Sequence, residues 1–269
     1  MKLIACIPLK NEAWVIKYTL SALSEFVDEI IALDDGSSDD SIKILESYPK
    51  VTQIIKNKPR SDKFRNEPLN WNRLTKAAIE RGADWIFYTD ADEMVEPRIK
   101  DEIKAMMEAK DVDVYQFKKI SPWRGYDFYR SESDKWVSPA KNVLNPILIR
   151  ATESLTWPNP KGDLKKRIAK LILRGEPLRP TIGRNFPLGL KGKVVERNDL
   201  MSVHFNNISY DSLIKKQINY AINEKIEKPY KSNQQIIDWV FFRLDEAGME
   251  LTPVNQDWYW KDYLKQIEL

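Results

Sequence analysis

Apolar positions along this chain alternate between two periods. From Leu3 to Pro8 an unbroken apolar run stops at proline, which predicts a short strand buried on both faces. Trp14, Ile16, Leu20, Leu23 and Phe26 then recur at roughly helical spacing, and Ile30 to Leu33 reads as a second buried strand. Ser37 and Ser38 are suited to cap a helix with Asp39 and Asp40 in its first turn, Ile42 and Leu45 on its apolar face, and Tyr48-Pro49 at its end. "VTQIIKN" predicts a third strand, "LNWNRLTKAAIERGA" a helix stopped by Gly82, and "DWIFYTD" a fourth strand. Glu96 and Pro97 open a helix through "RIKDEIKAMMEA", and "VDVYQFKKI" has the alternation of a further strand.

Strands alternating with helices over the first 120 residues predict an α/β fold, a largely parallel central sheet flanked by helices. The second half changes character. Prolines at 139, 146, 158, 160, 177, 180 and 187 break it into an irregular region, and helical periodicity returns from about Tyr210. Between these lies a basic amphipathic helix candidate, Lys161 to Arg174, followed by "RPTIGRNFPLGLKGK", whose glycines and basic residues suit a flap.

Composition narrows the classes. Forty-three basic against forty acidic residues leave a net charge of +3, which does not advertise a nucleic-acid partner. With 42% hydrophobic and 31% charged residues, the composition argues against extensive disorder. Cys6 is the single cysteine, so no internal disulfide forms, and a reducing, cytoplasmic setting is expected. No apolar run approaches the ~18 residues of a membrane span, so any membrane contact is expected to be peripheral, at the inner face.

Candidate chemistry gathers where the predicted strands end. "PLKNE" follows the first strand, "LDDGSSDD" ends the second and "YTDADE" ends the fourth. In parallel α/β sheets, ligands bind at the carboxyl ends of the strands. If the chain stays extended, Asp90 and Asp92 point to one side, about 7 Å apart at Cα, with room for a divalent cation between them. Such a cation relieves carboxylate repulsion and bridges phosphate oxygens; without it or hydrogen bonds, one carboxyl pKa rises. A lone D-x-D is often a solvated turn, and Asp34 with Asp35 could be an ordinary capping turn. Convergence of three strand ends is what favours a site.

"ACIPLKNEAWVIKYTLSAL", "VDEIIALDDGSSDDSIKIL" and "GADWIFYTDADEMVEP" resemble the successive signatures of the GT-A glycosyltransferases of the large second sequence family. The resemblance implies a GT-A, Rossmann-like fold in one continuous domain, with a nucleotide-sugar-binding half at residues 1–120 and an acceptor-binding region with C-terminal helices at 121–269. It implies that Pro8, Asn11 and Glu12 border the nucleotide and that Asp35, with Asp34 beside it, contacts the base. Asp90 would lie near ribose and metal, and Asp92 would bind the metal that bridges the diphosphate. The implied cofactor is Mn2+ or Mg2+. The implied donor is a nucleotide-diphosphate sugar, UDP favoured over GDP or dTDP, and the acceptor a saccharide or a lipid-linked hydroxyl, as in polysaccharide biosynthesis.

Single-displacement inversion requires a base for the acceptor proton. Glu93, Asp127, Glu132, Asp134 and Asp163 qualify, with Asp127 and Asp134 ranked ahead because "WRGYDFYRSESDKW" sets carboxylates among aromatics and arginines. His204, in "LMSVHFNN", reads either as a metal ligand, as in some GT-A enzymes, or as a buried histidine. A sugar nucleotidyltransferase would carry a glycine-rich loop where this chain has "PLKNEAW", and a haloacid-dehalogenase-like phosphatase would place D-x-D after its first strand. A catalytically inactive binding protein of the same fold is the other alternative.

Overall fold

A computed structural model describes residues 1–58, 67–131, 143–158, 186–241, 246 and 248–264. Strands β1 (Leu3–Leu9), β2 (Glu29–Asp34), β3 (Val51–Lys56) and β4 (Trp85–Tyr88) form a parallel block in the order β3-β2-β1-β4. Helices α1 (Ile16–Ser24), α2 (Ser41–Glu46) and α3 (Glu67–Glu80) make the crossovers.

The eight-stranded sheet continues past β4 with β8 (Val143–Arg150), β6 (Val112–Ile120), β9 (Lys193–His204) and β5 (Glu93–Val95). Here β4–β8, β6–β8 and β5–β9 run antiparallel while β6–β9 is parallel. The expected α/β sheet flanked by helices is present, its parallel character concentrated in the first half.

Strand periodicity divides the core. Leu3, Ala5 and Ile7 of β1 face a cluster with Phe87 and Phe117, whereas Ile4 and Cys6 face Trp71 and Leu74 of α3, Tyr88 and Trp157. Both faces of β1 are covered, which is why its seven residues are all buried and its sequence is continuously apolar. Burial pushes the Cys6 thiol up, consistent with a packing role.

Beyond the block, α4 (Ile99–Glu108) begins two residues after Pro97, and β7 (Phe128–Arg130) pairs antiparallel with β10 (Leu251–Pro253) in a separate ribbon. Helix α5 (Tyr210–Glu227) starts at Ser209, whose hydroxyl accepts the Ser212 N–H at 3.1 Å, and α6 (Asn233–Phe241) and α7 (Lys261–Leu264) follow. Among the described residues no helix is long and apolar enough to cross a membrane. The segment Lys161 to Arg174, the flap up to residue 185, and the candidate bases Glu132, Asp134 and Asp163 lie outside the described residues.

Two local expectations are corrected. Helix α2 begins at Ser41, so neither Ser37 nor Ser38 caps it; their polar atoms are engaged with the loop after β1 instead. The chain also does not stay extended through Asp90-Ala91-Asp92: it turns, and resumes as β5, too short an element for its periodicity to be visible.

Candidate functional site

The loops leaving β1 and β2 are laced together at the carboxyl edge of the sheet. Asp34, nearly inaccessible at the end of β2, accepts the N–H groups of Gly36 at 3.1 Å and Ser37 at 3.0 Å, while Gly36 takes the left-handed backbone the turn needs, φ +85. Asp34, which the resemblance sets beside the base-contacting Asp35, thus builds the turn. Asn11 also adopts positive φ, +56, and joins the turn both ways: its N–H donates to Ser37 Oγ at 2.9 Å and its Oδ1 accepts from the Ser38 N–H at 2.7 Å. Glu12 N–H donates to Ser41 Oγ at 2.9 Å. Pro8 is buried inside β1, opposite Leu33.

Asp35, by contrast, turns toward the end of β3. Its Oδ1 accepts from the Asn57 amide at 2.5 Å; that amide also donates to Asn70 Oδ1 at 3.1 Å, and Arg73 donates to the Asn57 oxygen. A carboxylate steadied among Asn57, Asn70 and Arg73 is a partly buried polar site of the kind that can discriminate hydrogen-bonding ligands.

The D-x-D stretch forms a turn closed by Glu93 N–H to Asp90 C=O at 3.1 Å and tied to α1 by the Thr19 hydroxyl, which donates to Ala91 C=O at 2.6 Å. The turn is required because the chain must leave the parallel block and reach the far edge, where β5 pairs with the end of β9 in the register Glu93↔His204. Phe205 N–H then donates to Asp92 C=O at 2.8 Å. This pairing sets His204 Nε2 3.1 Å from Asp92 Oδ2. From α5, Lys216 Nζ approaches the same oxygen to 3.7 Å.

Four ionisable groups are perturbed here. Burial opposes ionisation of Asp92, yet the hydrogen bond with His204 and the charges of Lys216 and Lys119 outweigh it and hold the carboxyl well below the usual range. Burial lowers His204 to about 4, so its imidazole is neutral at pH 7. Glu12 is raised to about 8, by burial first and then by Asp92 and Asp90, against Lys216 and the Trp14 indole N–H that donates to it at 2.9 Å. Lys216 is raised despite burial, because Asp92, Tyr220, Glu12 and Asp90 stabilise its charge.

A neutral imidazole nitrogen and a carboxylate oxygen 3.1 Å apart suit a cation. Ligands at ~2.1 Å from an octahedral ion lie about 3 Å from one another. Among the described residues, no three His, Cys, Asp or Glu side chains already form a metal shell. His204 and Asp92 thus offer two neighbouring positions, with Asp90 on the same turn.

The candidate bases separate. Glu93 is fully buried and ion-paired with Lys119 of β6, enclosed where no acceptor hydroxyl can reach. Asp127 is exposed; its C=O accepts from Val254 N–H at 2.8 Å and its charge bears on Tyr259. Sequence reasoning missed Lys216, Lys119, Asn57, Arg73 and Ser41. Only Asn57 carried a signal, as the polar residue after the end of β3.

Comparison with known proteins places these features in context. The sequence model described as Glycosyl transferase family 2 matches residues 4–166. Two uncharacterized proteins, Rv3786c of Mycobacterium tuberculosis and Mb3815c of Mycobacterium bovis, are each 32% identical over 107 residues, a match spanning 37% of this chain and 25% of the relative. The chain thus matches about a quarter of the length of these relatives. Among solved structures, residues 1–349 of TarS from S. aureus align over 92% of this chain and 73% of that one, at 15% identity and TM-score 0.49. Glucosyl-3-phosphoglycerate synthase from Mycobacterium tuberculosis, crystallised with Mn2+, UDP and glucosyl-3-phosphoglycerate, aligns over 45% of this chain and 44% of its own, at 18% identity and TM-score 0.34.

Proposed function

The chain belongs to glycosyl transferase family 2, and on that premise we propose that it moves a sugar from a nucleotide-diphosphate sugar, a UDP-sugar by preference, to a saccharide or lipid-linked hydroxyl with Mn2+ or Mg2+. The observation that carries this reading is the buried Asp92 carboxylate with the neutral His204 Nε2 3.1 Å from one of its oxygens, at the ligand-binding edge of the sheet.

In this reading Asp92 and His204 hold the cation, Asp90 lies toward the ribose and Asp35 accepts a hydrogen bond from a base N–H. The bound cation stabilises negative charge developing on the leaving diphosphate. Asn11 and Ser37 keep the two loops in register beside the nucleotide. Residues 1–120 supply most donor contacts and 121–269 the acceptor side, with the displaced acceptor proton passing to a carboxylate for which Asp127 and Asp134 remain the candidates.

A thermal-shift screen of UDP-, GDP- and dTDP-sugars with and without Mn2+ or Mg2+ tests the reading. A donor at ~100 times its Kd adds about 2.7 kcal/mol of stability, and the expected result is a metal-dependent shift with a UDP-sugar, followed by release of UDP on turnover. Failure of every donor to bind with metal and to turn over would overturn it, leaving the fold without this activity.

A further inference from the structure

We propose that Lys216 is a diphosphate-binding residue that shares the Asp92 oxygen with the cation, so that the charge it places on Asp92 in the free protein is transferred to the donor when donor and cation arrive together. The inference rests on the glycosyl-transfer reading above and adds a residue from outside the three strand-end motifs.

Three features lead to Lys216. Its position is fixed by structure, because α5 springs from the 3-10 turn Phe205–Asn207 that follows His204 and buries Leu213 and Gln217 on either side of it. Its ammonium stands 3.7 Å from Asp92 Oδ2, the oxygen that also faces His204 Nε2. That distance lies outside hydrogen-bond range, so the contact is one of charge and the ammonium keeps its directed N–H groups for another partner. Finally, the side chain is 28% exposed, so a ligand can reach it.

An ammonium beside Asp90 and Asp92 balances carboxylates while no ligand is bound. A dication held at Asp92 and His204 would upset that balance, since two positive groups would then face one oxygen. The donor diphosphate restores it by taking the ammonium as a point-charge partner. When the bond from the anomeric carbon to the diphosphate oxygen breaks, its electron pair stays on that oxygen, the acceptor oxygen forms the new bond, and its proton leaves to a base. Lys216 then faces one more unit of negative charge than it did in the bound donor, which makes the interaction stronger as transfer proceeds.

Titration calorimetry of UDP and Mn2+, separately and together, on the unmodified chain, Lys216→Met and Lys216→Arg tests this. In Lys216→Met, UDP binding in the presence of Mn2+ should weaken about ten- to hundredfold, the loss of one charge-assisted contact, while Mn2+ alone should bind more tightly than to the unmodified chain. Lys216→Arg should recover most of the UDP affinity. A residue that merely props the helix would not give opposite signs for the two ligands. UDP affinity unchanged in a folded Lys216→Met overturns this inference alone, as does weaker binding of both ligands in Lys216→Met and Lys216→Arg alike. No UDP binding to the unmodified chain overturns the glycosyl-transfer reading and this inference with it.

Discussion

The turns after β2 and β4 both end a strand of the parallel block in carboxylates, and they meet the cost of burying charge in opposite ways. Asp34 is satisfied within its own loop, by N–H groups two and three residues along the chain. Asp92 is satisfied from a distance, by His204 across a separation of 112 residues and by Lys216 beyond it. A carboxylate whose partners are backbone N–H groups is committed to the loop it shapes. One faced by a neutral imidazole and by an ammonium outside hydrogen-bond range can change partners, and that is what a cation or phosphate site requires.

The largest effect should come from removing the changeable carboxylate. Asp92→Ala is expected to lower turnover by about 10³-fold, the upper range for deleting one group that stabilises transition-state charge, with metal-dependent donor binding lost in the same calorimetric assay. Circular dichroism should show the sheet intact, since only the side chain of Asp92, and not its C=O bond to Phe205 N–H, is removed. Undiminished turnover would end the assignment of this turn as the site.

Asp34→Ala should show the reverse profile. Two N–H groups of a half-buried turn lose their buried acceptor, at about 1 kcal/mol of stability, measured by denaturant unfolding. Mn2+ affinity should be kept, because Asp92, His204 and Lys216 stand outside that turn. A variant that loses metal binding and keeps its stability would erase the distinction between the two turns.

Legibility in the sequence followed the same division. The parallel block was readable because its inner strands β1, β2 and β4 are covered on both faces, as in β1, where alternate residues serve the two halves of the core. The three motifs could be placed at the carboxyl ends of β1, β2 and β4 for the same local reason. The partner of Asp92 was named only as one of two readings of His204, since nothing near residue 204 states that β9 ends beside β5. Lys216 was missed outright: a lysine on a helix carries no periodic signal, and its meaning comes from the β5–β9 register. For Asp34 the two readings stayed open, because side-chain capping of its own turn and contact with a ligand look alike in "LDDGSS"; its bonds to Gly36 and Ser37 show the first.

A smaller effect separates the neutral imidazole from an ordinary one. With His204 lowered to about 4 by burial, its nitrogen stays available to a cation down to that pH. Mn2+ affinity should therefore hold from pH 7 to 5, where a histidine with the usual value near 6.5 would already be protonated. The stability term has a definite sign. The folded pKa is depressed, so the contribution is complete above the unfolded value and is lost as pH falls from about 6.5 toward 4. A break in Mn2+ affinity centred near pH 6.5 would place His204 in a wetter setting than the β5–β9 pairing provides.

The finest distinction concerns Glu12, which belongs to the first loop by its backbone and to the second turn by its charge. Its N–H is tied to Ser41, while its carboxyl is raised to about 8 by burial and by Asp92 and Asp90. Raised above its unfolded value, it contributes stability that is complete at low pH and declines as pH climbs through about 8. At pH 7 most of it carries a proton, and a cation at Asp92 favours losing that proton. Calorimetry in two buffers of different ionisation heat should therefore detect a fraction of a proton released per Mn2+ bound at pH 7. In Glu12→Gln, which copies the neutral acid, the release should vanish while affinity changes little at pH 6, and the gain in affinity seen above pH 8 should disappear. Equal weakening at pH 6 and pH 9 would mean that Glu12 acts through its bond with the Trp14 indole and the shape of its loop. In that case it belongs with Asp34, among the carboxylates that build the edge, and not with Asp92.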